Sequence, residues 1–205
     1  MKYVVVAVAA VALAGCATMS EEQCLAGDWY GQGFTDGAAG YSYGRLNEHT
    51  EACARHGVYP DVSAYAAGRD QGLLQYCTPA NGFRVGRAGT SYSGVCPGGL
   101  EADFMYGYND GRVLWTADQQ VAAAVNAINE ARNRANNLEQ EIRAEEDSLS
   151  DEALTQAQRD TIRARIRRLR DDRERAFDDM RRAERDADYA RREVADLERR
   201  LMRGY

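Results

Sequence analysis

Glycine and proline, the two residues least favourable inside a helix, are confined to the first part of this 205-residue chain. All 3 prolines, and every one of the 19 glycines except Gly204, lie before Arg112. The stretch from 112 to 203 is rich in Ala, Glu, Asp and Arg instead. Two regions with different folding rules therefore share one chain, and the second can form very long helices.

The N-terminus has the pattern of a bacterial lipoprotein signal. Apolar residues run without interruption over 4–14, which is too short for a transmembrane helix. Leu13-Ala14-Gly15-Cys16 then resembles the lipobox, whose cysteine becomes acylated. We expect residues 1–15 to be removed as a signal peptide and Cys16 to carry the lipid. The alternative is an ordinary secretory signal that leaves Cys16 as a thiol. Ala17, rather than Asp, after the lipidated cysteine favours the outer membrane with the protein facing the periplasm.

Four cysteines remain after lipidation, an even number that indicates two disulfides in an exported protein. They are Cys24, Cys53, Cys77 and Cys96. Three connectivities are open to four cysteines. We favour Cys77 with Cys96, because the stretch between them is rich in turn-forming residues, and consequently Cys24 with Cys53.

One phrase recurs between residues 20 and 115: an aromatic residue, two residues, Gly, three residues, Gly. Its copies begin at Tyr30, Tyr65 and Phe104, with a shortened copy at Phe83. These spacings place the aromatic ring and both glycines on one helical face. Close packing of helix against helix explains the pattern. The alternative is a groove for glycan or peptide, floored by glycine and walled by aromatic rings, namely Trp29, Tyr65, Phe83 and Tyr92.

Several side chains are candidates for chemistry. His49, Cys53 and His56 are spaced for three metal ligands on one helical face, but a disulfide explains Cys53 better. Three aspartates resemble acid–base carboxylates yet are more typical of caps and surface groups: Asp36, Asp70 and Asp110. An arginine run over 163–170 suggests a polyanion site, but a solvated helix face explains it too. We therefore predict no enzyme activity, no metal, no cofactor and no nucleic-acid partner.

The residues of the first region resemble a known family. The resemblance rests on the order and spacing of Cys24, Asp28-Trp29, Asp36-Gly37, Cys53, the Tyr65–Cys77 stretch, the stretch from Asn81-Gly82-Phe83 to Cys96-Pro97, and Phe104 onward. It covers about residues 20 to 115. The family comprises bacterial lipoproteins with a domain of unknown function, number 2799. The resemblance implies an exported lipoprotein with a glycine and cysteine framework, often followed by a charged helical tail, and it implies no activity.

The second region has the pattern of a coiled coil. Apolar residues alternate steps of three and four over 121–149 and again over 162–201, as in a heptad seam. Thr155 and Gln158 form a capping box at which a second helix begins. The two arms have nearly equal lengths, which favours an antiparallel hairpin over one long helix in a parallel oligomer. A turn centred near Glu152 places Ile142 opposite Ile162, Glu145 near Arg159 and Glu139 near Arg165.

The sequence therefore predicts an all-α protein in three parts. Residues 1–15 are the signal peptide, residues 16–116 a small Gly-rich disulfide-bonded helical domain, and residues 117–205 a long antiparallel helical hairpin forming a coiled coil. We expect a non-enzymatic envelope lipoprotein that acts as a membrane-anchored structural or protein-interaction module. Its partners are the membrane, through the lipid, and an envelope protein or further copies, through the tail. The alternative function is a periplasmic glycan- or peptide-binding module.

Overall fold

The computed structural model describes residues 18–201, so the predicted signal peptide and Cys16 lie outside the described residues. Within 18–201 every regular element is a helix and no strand occurs, as the all-α prediction requires. The helices are α1 (Glu21–Ala26), α2 (Trp29–Ala39), α3 (Arg45–Ala54), α4 (Val62–Tyr76), α5 (Pro79–Arg87), α6 (Gly98–Ser148) and α7 (Gln156–Leu201).

Most helix ends lie where local signals predict them. Ser20 and Gln23 form a capping box at the start of α1. Asp28 caps α2 by accepting from the Gly31 N–H at 2.8 Å. Thr155 and Gln158 form the second capping box ahead of α7. Each such cap satisfies backbone donors that have no partner inside the helix, which is why short polar residues fix these boundaries.

The stretch after Cys77 differs from the prediction. Its turn-forming residues favour turns between Cys77 and Cys96, yet Pro79–Arg87 forms α5 and α6 begins at Gly98. Proline is well tolerated in the first turn of a helix, where its missing N–H costs nothing. Gly82 lies inside α5, where it supports close helix packing and not a turn.

The chain divides into two compact units. Unit 1 comprises the residues up to Val85 together with Ser91–Tyr108. Unit 2 comprises Gly86–Thr90 and the residues from Asn109 onward. The division falls within α6, because that helix continues without interruption from Gly98 to Ser148.

In unit 1, α2 and α4 pack backbone against backbone through their glycines. A Cβ on Gly33 would lie 2.1 Å from the Tyr65 carbonyl oxygen, and one on Gly68 would lie 2.0 Å from the Tyr30 carbonyl oxygen. The second glycine of each phrase repeats the exchange, because Gly37 faces the backbone of α4 and Gly72 faces that of α2. The backbone of each copy therefore packs directly against the two glycines of the other copy.

The same exchange joins α5 to the first part of α6. A Cβ on Gly82 would lie 2.1 Å from the Phe104 carbonyl oxygen, and one on Gly107 would lie 1.9 Å from that of Pro79. The fourth copy of the phrase is thus Pro79-x2-Gly82-x3-Gly86, and our placement of it at Phe83 was wrong. Proline replaces the aromatic residue there, which hid the repeat from a search for aromatic rings.

Unit 2 packs side chain against side chain instead. Ile142 of α6 forms a buried cluster with Ile166 and Leu169 of α7. Buried alanines continue along the two helices: Ala131, Ala135, Ala176, Ala183, Ala187 and Ala190. These buried residues occupy positions of the predicted heptad pattern.

The register of α6 against α7 differs from the prediction. Glu145 pairs with Arg165 at 3.0 Å, not with Arg159, and Glu139 pairs with Arg173, not with Arg165. Each arginine lies six or eight residues further along α7 than expected. The heptad spacing alone does not distinguish these pairings from the expected ones.

Candidate functional site

A buried polar network lies between α2, α3 and α4. The His49 ring is 0% exposed, and its Nε2 lies 2.7 Å from Asp36 Oδ2. The Tyr65 hydroxyl donates to the same oxygen at 2.7 Å, and Gln32 donates to Asp36 Oδ1 at 3.2 Å. Because a carboxylate only accepts hydrogen bonds, Nε2 of His49 carries the proton. Three donors thus converge on one buried carboxylate.

The first described residues complete this network. Thr18 Oγ1 lies 2.7 Å from His49 Nδ1, within hydrogen-bonding distance. Met19 is 4% exposed and belongs to the core cluster that contains Cys24, Cys53 and Tyr65. The segment just after the predicted lipidation site is therefore part of the core of unit 1.

Burial and the hydrogen bond to Asp36 raise the pKa of the Tyr65 hydroxyl well above its ordinary value. The phenol consequently stays a hydrogen-bond donor throughout the physiological pH range. Tyr65 acts as a fixed structural donor, with its ring 6.2 Å from that of His49.

The four cysteines pair as the sequence analysis favours. Cys24 bonds to Cys53 and Cys77 bonds to Cys96, with Cα atoms 5.4 Å and 5.6 Å apart. Cys53 is thereby unavailable as a metal ligand. Within residues 18–201 no three histidine, cysteine, aspartate or glutamate side chains are grouped to hold a metal ion.

The remaining candidates are placed as follows. Asp36 is buried in the network, Asp70 is exposed and Asp110 is partly buried. In the arginine run, Arg165 pairs with Glu145 and Arg170 with Glu146 across the two helices. The charges of these two arginines are therefore neutralised by glutamates of the neighbouring helix, as expected for a solvated helix face.

The glycine-floored groove is not formed by the residues we assigned to it. The glycines of α2 and α4 face helix backbone rather than open space. Trp29 is 5% exposed and Tyr65 is 0% exposed, so neither ring can wall a groove. Tyr92 packs on the Phe104 ring at 4.7 Å and accepts from the Cys96 N–H at 2.9 Å. Helix packing thus explains the repeated phrase.

Sequence reasoning missed a turn between α2 and α3 where arginines stack on tyrosines. The Arg45 guanidinium lies 4.6 Å from the centre of the Tyr41 ring. Arg69 of α4 is 9% exposed, donates to the Tyr41 carbonyl at 3.0 Å and lies 5.8 Å from the Tyr43 ring. The run Tyr41-x-Tyr43-x-Arg45 was the available signal.

A small all-helical domain, held by two disulfides and by glycine-mediated helix contacts, is the class of protein that this fold defines. Residues 28–113 match the model of the family described as "Protein of unknown function (DUF2799)", which confirms the family resemblance for this part of the chain. No curated protein and no solved structure matches the chain significantly.

Among the described helices, none is both long enough and apolar enough to cross a membrane.

Proposed function

We propose that this protein is a non-enzymatic envelope lipoprotein, anchored through Cys16 in the outer membrane and facing the periplasm. The observation that supports the proposal is that the candidate reactive groups are engaged inside the fold. His49 and Asp36 are hydrogen-bonded to each other. His49 is also within hydrogen-bonding distance of Thr18, and Asp36 accepts a hydrogen bond from Tyr65. Four cysteines are in disulfides. Side chains used in this way stabilise a scaffold.

The anchor is tested by metabolic labelling with palmitate. We expect the label on the wild-type chain and none on the Cys16→Ser chain, because no other cysteine follows a lipobox. Equal labelling of both chains would contradict the proposal. A maleimide probe on the oxidised, unlabelled chain checks whether Cys16 is a free thiol instead.

We further propose that α6 and α7 form an antiparallel coiled-coil hairpin, and that its charged outer surface is the module that binds a partner. Ion pairs between the helices support this arrangement: Arg165 with Glu145, Arg170 with Glu146, and Arg134 with Asp179. Since the apolar cluster of Ile142, Ile166 and Leu169 is buried, we expect the outer charges, and not these side chains, to contact an envelope protein or a further copy.

Chemical crosslinking tests the hairpin. In the oxidised protein the native cysteines are protected, so Glu145→Cys and Arg165→Cys together should be joined within one chain by a short bis-maleimide. The control pairs Glu145→Cys with Arg182→Cys, which is displaced by about 25 Å along α7. Mixing heavy and light chains distinguishes links within a chain from links between chains. Links found only between chains would refute the hairpin.

A capture experiment from detergent-solubilised envelope tests the partner-binding role. The full chain is compared with a variant in which Arg167 and Arg168, both exposed on α7, are replaced by glutamate. Loss of captured proteins in the variant would support partner binding by the charged surface of α7. Retention of glycan alone by both chains would favour a glycan-binding function.

A further inference from the structure

Three consecutive residues at the start of the described chain are each fixed to unit 1. Thr18 bonds to the buried His49, Met19 lies in the core, and Ser20 caps α1. Cys16 precedes Thr18 by only two residues. An extended chain spans at most about 3.6 Å per residue, so a lipid on Cys16 holds Thr18 within about 7 Å of the anchored residue.

The turn between α2 and α3 is connected to the same network. The Tyr43 ring lies 6.1 Å from the Tyr65 ring, which in turn lies 6.2 Å from the His49 ring that holds Thr18. Tyr41 and Tyr43 are 47% and 46% exposed. Half-exposed tyrosines beside arginines are typical of the boundary between water and lipid, where a ring meets the apolar side and a guanidinium meets phosphate.

We propose that the Tyr41–Arg45 turn contacts the phospholipid headgroups of the membrane in which Cys16 is anchored. This inference rests on the proposed lipid anchor. Arg45 supplies a partly exposed guanidinium, which pairs with Glu48. Arg69 places a second positive charge near the Tyr43 ring and donates a hydrogen bond to the Tyr41 carbonyl. Unit 1 then lies directly on the bilayer, because its N-terminal segment is too short and too firmly held to act as a tether.

The full lipidated chain in vesicles of phosphatidylethanolamine and phosphatidylglycerol tests this contact. The reporter is Tyr41→Trp, and the quencher is a lipid with a nitroxide on its headgroup. Signals from Trp29 and Trp115 are subtracted with the wild-type chain. We expect strong quenching of the reporter. Inserting about 15 Gly and Ser residues after Ala17, with an r.m.s. length of about 20 Å, should abolish that quenching.

The matched control is Leu74→Trp, an exposed position of the same unit that lies about 14 Å along α4 from Tyr65. It should be quenched less than Tyr41→Trp. Equal quenching at the two positions, or quenching at Tyr41→Trp that the inserted linker leaves unchanged, would overturn the proposal. Palmitate labelling of the same samples separates a missing anchor from a missing contact. A water-soluble quencher verifies that both reporters are exposed.

Discussion

Unit 1 and unit 2 bury their helices by opposite means. In unit 1 glycines let backbones touch, and a Cβ on Gly33 would lie 2.1 Å from a carbonyl oxygen. In unit 2 a seam of alanines with a few large aliphatic side chains separates the helices, and ion pairs flank the seam. Close backbone packing requires several glycines to fit at the same time, so a change at one of them disturbs the whole contact between the two helices. Each buried side chain of unit 2 stabilises mainly the residues packed around it. The comparison predicts that single substitutions have cooperative effects in unit 1 and local effects in unit 2.

The largest effect is expected from Gly33→Ala. The new methyl group would lie inside the contact distance of the Tyr65 carbonyl, so α2 and α4 must separate, at a cost of about 3 kcal/mol or more. Hydrogen exchange read by mass spectrometry should show lost protection in both helices and unchanged protection in α7.

The control for this substitution is Gly98→Ala. A Cβ on Gly98 meets no atom within 4 Å, so this change should leave unit 1 intact or stabilise it slightly. If Gly33→Ala were as harmless as Gly98→Ala, the backbone contact would not be what holds α2 to α4.

The second largest effect is expected in unit 2, from Ile166→Ala. Ile166 is 5% exposed between Ile142 and Leu169, and truncating a buried isoleucine costs about 2–4 kcal/mol. Protection should fall in α6 and α7 around this cluster and remain in α2 and α4. Arg168→Ala, an exposed neighbour, is the control. A loss of protection that reached unit 1 would show that the two units unfold together.

These contrasts also show what the sequence could and could not predict. Helix ends and the disulfides were predictable, because caps are short-range signals and the even cysteine number limits the pairings. The α6–α7 register was not, because heptad spacing is compatible with registers that differ by one or two turns and does not mark the pairs of Glu145 with Arg165 and Glu139 with Arg173. The Thr18–His49–Asp36 network joins residues 31 and 13 positions apart, and no local pattern marks such contacts.

A smaller effect is expected from Tyr65→Phe in unit 1. The phenylalanine keeps the ring but removes one donor to the buried Asp36, which costs about 1–2 kcal/mol. The folded-state pKa of Tyr65 is raised, so its stabilising contribution is complete below the ordinary tyrosine pKa of about 10 and is lost as pH rises above it.

Urea unfolding of unit 1 at pH 7 and at alkaline pH checks this sign. The difference in stability between wild type and Tyr65→Phe should narrow as the pH rises. Tyr59→Phe, at a tyrosine that is 73% exposed, is the matched control and should change little at either pH. A difference that widened with pH would contradict the assigned role of the hydroxyl.

The smallest effect is expected from Glu139→Gln in unit 2, and it sharpens the comparison through its dependence on solution conditions. Glu139 accepts from Arg173 of α7 and from Arg143 one turn along α6, and these bonds lower the pKa of its carboxyl group. A lowered folded-state pKa means that the stabilisation is present above the ordinary glutamate pKa and is lost as pH falls through the folded value. Because both side chains of the pair are partly exposed, salt screens the interaction, with a Debye length of about 3 Å at 1 M. The midpoint of thermal unfolding of α7 should therefore fall slightly for Glu139→Gln at pH 7 in low salt, and the difference from wild type should vanish both at high salt and at acid pH.

Tyr65→Phe should keep its effect in high salt, since its hydrogen bond is buried. If both variants responded to salt alike, the contrast between a buried polar network in unit 1 and a solvated ion-pair surface in unit 2 would not hold.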